Sequence, residues 1–477
     1  GDVYKRQAVG CAPAQKPLTD YVNPMLGTAT LWDSVDLGFK PTKRTWGAEV
    51  FPGSSLPNAM VQVSPVTKFH SGAGYQYEDS VIYGFTHTNK GHWNLCHIPL
   101  LPVTGTPTPG DYCSPFSHER ESAAPGYYQV FLDRYGVDAQ LSSTLRCAFH
   151  KYTYPAGAAP AVLADLQRSN EHVRAWDIRK EGDNVFAGWQ QTGEKMYFYA
   201  VANRPVTGIE PVVEGDREVR IVRFGEGDGA LELRIGFSFV SEKNARENLE
   251  AEMLGKSFAE VRSEATATWN DLLGRIRVEG GTEREKGLFY SSLYRSFLWP
   301  ALRSDVNGEF TDVDGKVINP GFRYYTGPSY WDDYRNKLIL LGMLAPDVAA
   351  DVISSDVDKG EKRGGFMPTF FHGDHASAFV AGTYLRGNRG FDVNRAYNLV
   401  LRNATVQGPS RPWLDEYVAK GYISEMDVEN PVTWTVCKAA VTKTLEYSYD
   451  DYAVALLADA LGDKENRCLL YTSDAAD

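Results

Sequence analysis

No apolar run in these 477 residues approaches the ~18 needed to cross a bilayer. Cysteine is scarce: Cys11, Cys96, Cys113, Cys147, Cys437 and Cys468 show no CxxC and no metal-ligand spacing. Cys96, Cys113 and Cys147 can include one disulfide or remain buried thiols, and spacing does not choose between these. Positive charge is also short. Lys and Arg total 49 against 61 Asp and Glu, a net charge of -12, with no basic stripe to displace counterions. Nucleic acid is therefore excluded as a partner, whereas a neutral ligand, with or without a bound cation, fits. HExxH is absent, and Gly360-Glu361-Lys362-Arg363-Gly364-Gly365 lacks the trailing Lys-Ser/Thr of a phosphate loop.

Aromatic residues are plentiful at 12%, enough to fill sheet cores or to stack on the apolar face of a sugar. The length exceeds what one core holds, so a multidomain chain is expected. Residues 18–240 read as an antiparallel β-sandwich. Tyr127 to Leu132, Val185 to Trp189, Met196 to Val201, Glu218 to Phe224 and Ala230 to Val240 are Val/Tyr/Phe-rich runs divided by Gly/Asp/Asn turns. The period then changes. Phe258, Val261, Ala265, Trp269 and Leu272 step by three and four, so residues 241–280 are expected to form a helical linker closed by a short strand at 275–278.

From 281 to 467 the pattern is helical. Helices are expected over 285–298, 331–344, 347–359, 375–386, 393–403, 431–445 and 450–461, which is little more than half of a twelve-helix (α/α)6 toroid. Pro346 and Asp347 mark one boundary, and Gly387, Gly390 and Asp392 mark another. Residues 1–17 and 468–477 carry no periodicity and are expected to lie outside the fold.

Several segments occur in a recognisable order. Tyr21-Val22-Asn23-Pro24-Met25-Leu26-Gly27-Thr28 is followed by Phe51-Pro52-Gly53, Ala59 to Pro65, Gly74-Tyr75 and Tyr83-Gly84-Phe85-Thr86-His87-Thr88. Pro125-Gly126-Tyr127-Tyr128, Phe289 to Arg295, Trp331-Asp332-Asp333-Tyr334-Arg335, Gly373-Asp374-His375-Ala376 and Leu445 to Asp451 continue the series. This ordered set resembles glycoside hydrolase family 92. The resemblance implies a β-sandwich followed by an (α/α)6 catalytic domain, here incomplete. It also implies calcium-dependent, inverting, exo-acting hydrolysis of α-mannosides.

Two departures stand out. Asn89 to Asn94 replaces the family's usual continuation, which bears on linkage preference. Asn58 stands in a usually apolar neighbourhood.

Inversion needs a protonated carboxyl and a carboxylate base roughly 6.5–9.5 Å apart. No residue of this chain matches the family's catalytic Glu and Asp pair, so no catalytic residue is assigned. Most calcium ligands are likewise expected elsewhere, and the metal site is left unknown. Residues 1–477 alone are expected to be inactive.

The substrate-binding candidates are Trp331, Asp332, Arg335, His87 and His92. An indole stacks on a sugar ring and a carboxylate accepts from adjacent hydroxyls, while the plain alternative is a core Trp and a capping Asp. Arg335, one turn beyond Trp331, can share its face and grip Asp332 or line the pocket. His87, His92 and His97 recur every five residues, which suits neither a helix face nor a strand face and argues against zinc. Loop hydrogen bonding is the alternative role for these histidines. Asp374, His375, Asp450 and Asp451 are read as structural, at the starts of helices.

Ala8-Val9-Gly10-Cys11 resembles the end of a bacterial lipoprotein signal, which makes Cys11 a candidate lipid anchor. A periplasmic, outer-membrane-associated or extracellular location follows. Three functions remain open: an α-mannosidase acting on mannose-containing glycans, a glycosidase of the same fold acting on another glycan, and a non-catalytic carbohydrate-binding or structural protein.

Overall fold

The computed structural model describes residues 16–30, 50–89, 95–425 and 438–473. Cys11, His92 and Cys437 lie outside them. Two antiparallel sheets form the first layer. In spatial order, one runs Ser54–Ser55, Gln62–Val66, Gly84–Thr86, Leu100–Val103, Ala161–Ala164, Arg217–Phe224 and Val206–Glu214. The other runs Ala175–Gly182, Val185–Gln191, Lys195–Ala202, Leu231–Ser238, Cys147–Thr153, Val137–Ser143, Tyr127–Leu132 and Glu121–Ala124. Strict alternation decides which face is buried. In Lys195–Ala202 every second side chain (Met196, Phe198, Ala200, Ala202) is buried, as a half-solvated antiparallel strand requires. Cys113 and Cys147 are free thiols.

The 241–280 segment is more than a linker. Glu242–Glu252 is capped by Ser241 and lies across Leu231–Ser238, where a Cβ on Gly236 would stand 2.1 Å from the Ala245 carbonyl oxygen. Phe258–Leu273 begins with a Ser257/Glu260 capping box and buries the expected stripe. Its Trp269 indole donates to the Ser55 carbonyl at 2.7 Å and packs on Tyr294, which ties this helix to both layers. The strand expected at 275–278 is absent, and that stretch is irregular.

Downstream lie Glu283–Ser296, Tyr330–Asp333, Lys337–Leu344, Pro346–Lys362, Ala376–Leu385, Val393–Thr405, Leu414–Lys420, Ala440–Leu461 and Lys464–Ser473. Three differences from the sequence reading matter. The expected 331–344 helix breaks at Asn336, whose side chain accepts from Lys337 N at the start of the second piece. The break expected between 445 and 450 does not exist: Ala440–Leu461 runs unbroken, so Asp450 and Asp451 sit mid-helix and buried. The stretch 468–473, expected to lie outside the fold, is helical, and Leu470 is buried. Among the described residues no single helix is long and apolar enough to cross a membrane.

Asn58 joins the two layers. It adopts φ of 52°, a left-handed conformation that Asn tolerates better than most residues. Its N–H donates to the Phe297 carbonyl at 2.6 Å, its side-chain amide donates to the Pro300 carbonyl at 2.8 Å, and its carbonyl accepts from Leu302 at 3.0 Å. A polar residue in this apolar neighbourhood thus has both backbone groups and its side-chain amide N–H bonded.

Candidate active site

A cavity of about 290 Å³ opens at the seam of the two layers. Its wall includes Phe51 and Asn89 from the sandwich, and Arg295, Trp299, Asp332 and Lys337 from the helical layer. The volume sits at the small end of ligand sites. Asn89 is fixed there, since its amide donates to the Gln62 carbonyl and its own N–H donates to the Gln62 side chain, both at 2.8 Å. Arg295 donates to the carbonyls of Pro24 and Leu26 at 2.6 and 2.8 Å, and burial pulls its guanidinium down to about 10. Asp333, beside Asp332, accepts from Ser329 N and Lys337 Nζ at 3.2 Å each, so the neighbouring carboxylate performs the capping. Asp332 is left exposed on the cavity wall.

Trp331 and Asp332 part company because successive helical side chains diverge by about 100°. The Trp331 ring faces Phe371 and His372 at 5.8 and 6.3 Å, and its buried Nε1 makes no hydrogen bond. Trp331 is not on the wall of the Asp332 cavity. Arg335 does not grip Asp332 either. Its guanidinium lies over the Tyr334 ring and reaches Glu446 Oε1 at 3.5 Å.

His87 corrects the sequence reading. It is wholly buried between the sheets, where Nδ1 donates to the Ile98 carbonyl at 2.9 Å and Nε2 meets His150 Nε2 at 2.9 Å. His150 Nδ1 in turn meets the Tyr152 hydroxyl at 2.6 Å. The chain closes when Tyr152 donates to His150, His150 to His87, and His87 to Ile98, with both rings neutral. No ring nitrogen of His87 is left for a sugar. Burial accordingly holds His87 down, to about 3.

The four residues read as helix-start features form one buried polar cluster instead. The Ala376–Leu385 helix has no side-chain cap, and the Asp374 carboxylate takes Asn403 Nδ2 and Ser377 Oγ at 2.8 Å each. Asp450 accepts from Asp374 N at 2.5 Å and from His375 Nδ1 at 3.0 Å. Arg411 pairs with Asp451 at 2.5 Å and lies 3.6 Å from Asp374. Burial raises Asp374 well above the usual carboxylate range; Arg411 opposes this and Asp450 adds to it. Burial alone lowers His375, but the Asp450 hydrogen bond and the charges of Asp450, Glu446 and Asp374 outweigh it, so the ring titrates above its ordinary value.

Sequence reasoning passed over Glu446. Its Oε2 lies 3.3 Å from both the Tyr334 hydroxyl and His375 Nε2, and Tyr334 stacks on the His375 ring at 3.9 Å. The signal was the four-residue step from Glu446 to Asp450, which places both on one helix face.

Among the described residues no group of three or more His, Cys, Asp or Glu side chains is arranged to hold a metal ion. Asp374, Asp450 and Asp451 approach one another, but Asn403, Ser377, His375 and Arg411 already occupy them. They do not fit the calcium site that the resemblance implies.

The structure is similar to the family GH92 α-mannosidase BT3965 from Bacteroides thetaiotaomicron, with a TM-score of 0.85 and 26% identity over 96% of this chain and 64% of that one. That protein has also been solved with mannoimidazole bound. The inverting mannosidase BT2199 of the same organism shares the fold, with a TM-score of 0.83 and 24% identity over 96% and 64% of the two chains. A curated relative named an uncharacterized secreted glycosidase, from Arthroderma benhamiae, is 25% identical across 94% of this chain and 60% of its own length. The chain therefore spans less than two thirds of these relatives. Residues 21–247 match the glycosyl hydrolase family 92 N-terminal domain and residues 244–476 its catalytic domain. The chain belongs to glycosyl hydrolase family 92.

Proposed function

We propose that the whole protein is an exo-acting, inverting α-mannosidase that removes terminal mannose from glycans. The observation that carries this reading is the exposed Asp332 carboxylate on the wall of a small cavity, at the seam between the sandwich and the helical layer. A carboxylate there accepts from two adjacent hydroxyls. Likeness to an α-mannosidase that binds mannoimidazole supports a mannose-shaped occupant.

The reading assigns no acid and no base to the described residues. Calcium dependence belongs to the same proposal, with no ligand set assigned here. So does a location outside the cytoplasm, supported by a relative named as secreted; an anchor at Cys11 is part of that expectation and lies outside the described residues.

The test is release of mannose from α-linked mannobioses by residues 1–477 and by a chain extended to the relatives' length, each with calcium and with chelator. The longer chain is expected to release mannose only with calcium, and the shorter to release none. An extended chain that releases no mannose from any linkage sinks the mannosidase reading.

A second reading has one observation in its favour. Asn89, on the cavity wall, belongs to the stretch that departs from the family pattern, so the cavity suits a different terminal sugar. Release of another sugar from a glycan panel selects it, and binding without turnover selects a carbohydrate-binding role.

A further inference from the structure

The seam carries a second, larger cleft of about 1530 Å³, which belongs with the Asp332 cavity, since Trp299 and Ser329 line both. A groove of about 890 Å³ stands apart from these, walled by sandwich residues alone, from Lys68 to Arg217 in the sequence. It shares only His70 and Glu171 with the seam cleft.

The charge of this groove runs against that of the molecule. The chain carries -12 overall, yet Lys68, Arg168, Arg174 and Arg217 stand on the wall against Glu171 and Asp216. Lys68 and Arg174 are exposed, and among the described residues no carboxylate forms an ion pair with them or with Arg168. Glu171 is already engaged, accepting from Thr192 Oγ1 at 2.5 Å and from Gly193 N at 3.4 Å. Unpaired cations around one concavity focus a positive potential and draw anions to it.

Several donors are held in place. The Arg168 guanidinium lies 4.9 Å from the Phe69 ring centroid and 5.1 Å from that of Tyr83, and its Nη1 donates to the Tyr112 hydroxyl at 3.3 Å. Its Nε and Nη2 are left as donors without a protein partner among the described residues. The Gln167 side-chain oxygen accepts from Glu218 N at 2.8 Å, which leaves its Nε2 to donate. Arg217 is pinned by the Pro109 carbonyl at 2.8 Å and by Asp165 at 2.5 Å. A fixed guanidinium fork matches the paired oxygens of a sulfate or phosphate group.

The volume is far more than one such group fills, and it lies within the roughly 300–1,000 Å³ of small-molecule sites. Gln167 and Asp216, set among the cations, offer a donor and an acceptor to hydroxyl groups. We propose that this groove binds an acidic saccharide through its sulfate or phosphate esters, separately from the Asp332 cavity. Lys68, Arg168 and Arg174 hold the ester oxygens, and Gln167 and Asp216 meet the hydroxyls. The inference goes beyond the mannosidase reading and needs no turnover, so failure of the extended chain to release mannose would leave it standing.

Calorimetric titration of residues 1–477 with a sulfated lactose, lactose, a glucose phosphate and inorganic sulfate is the experiment. Binding of either ester is expected, the tighter of the two naming the ester, and it should weaken as salt is raised. Lys68→Gln and Arg174→Gln should each weaken it about 2- to 5-fold, typical of an exposed charge contact, without lowering the unfolding midpoint. Asp216→Asn keeps an acceptor and removes a negative charge, so it should tighten binding by a similar factor, a gain that a misfolded variant would not produce. The proposal is overturned by lactose that binds as tightly as its sulfate ester, or by variants that all bind like the parent. Inorganic sulfate that binds as tightly as both esters also overturns it, and leaves a site for an adventitious ion only.

Discussion

At the scale of single residues, adjacent side chains here have unlike fates. Asp332 is solvent-facing on a cavity wall, whereas Asp333 holds Ser329 N and Lys337. Asp332→Asn should therefore lower kcat/KM for mannoside release in the extended chain by about 100-fold. Such a loss is typical when a positioned polar contact to the reacting sugar is removed. Asp333→Asn should instead lower the midpoint, because a helix start loses its carboxylate. An Asp333→Asn midpoint equal to the parent's would contradict the capping role of Asp333.

The buried histidines give a pH prediction. His87 is lowered to about 3 by burial, so between that value and its ordinary 6.5 the unfolded chain binds the extra proton. Stability should fall as pH drops from about 6.5 towards 3, by up to about 1.4 kcal/mol per pH unit for each such ring. His97, buried and also lowered to about 3, adds to the same slope. His375 acts oppositely: its raised value contributes stability below 6.5 that is lost as pH climbs through its folded-state titration. Imidazole nitrogen NMR checks this at pH 5, where His87 should remain a neutral Nδ1–H tautomer and His375 should be protonated.

At the scale of elements, the sequence was most legible where periodicity was unbroken. The Phe258–Leu273 stripe was readable from its apolar spacing, and the Ser257/Glu260 box that the structure adds at its start agrees with it. Lys195–Ala202 was readable for the same reason, its alternation being uninterrupted.

The Ala440–Leu461 helix was misread, and the cause is physical. Asp450 and Asp451 are poor helix formers that favour starts, yet here they pair with His375 and Arg411 across the helical layer, and tertiary pairing overrides local preference. Arg411→Leu should then destabilise the chain by about 3–5 kcal/mol in urea unfolding, since it removes the buried guanidinium that pairs with Asp451 and lies beside Asp374. A loss under 1 kcal/mol would mean that water reaches the cluster. Gly236→Ala should also destabilise, because the added Cβ meets the Ala245 carbonyl oxygen at 2.1 Å and backbone must move.

At the scale of the molecule, two layers were legible from the change of period near residue 241, and the seam between them was not. No sequence period reports that Trp299, from a loop, and Asn89, from a sandwich turn, stand on one cavity wall. The substrate candidates were accordingly scattered: Asp332 on that wall, Trp331 against Phe371 and His372, His87 in the sandwich core. Family motifs name positions along the chain, but orientation is a tertiary fact.

Asn58 is bonded to Phe297, Pro300 and Leu302, the stretch that carries Trp299, and Trp299 borders both the small cavity and the large cleft. Three hydrogen bonds to one loop make the seam a clamp rather than a hinge. Binding therefore should not proceed by closure of one layer on the other. A glycan meets walls already set, and scattering profiles of the chain with and without a bound oligosaccharide should superimpose.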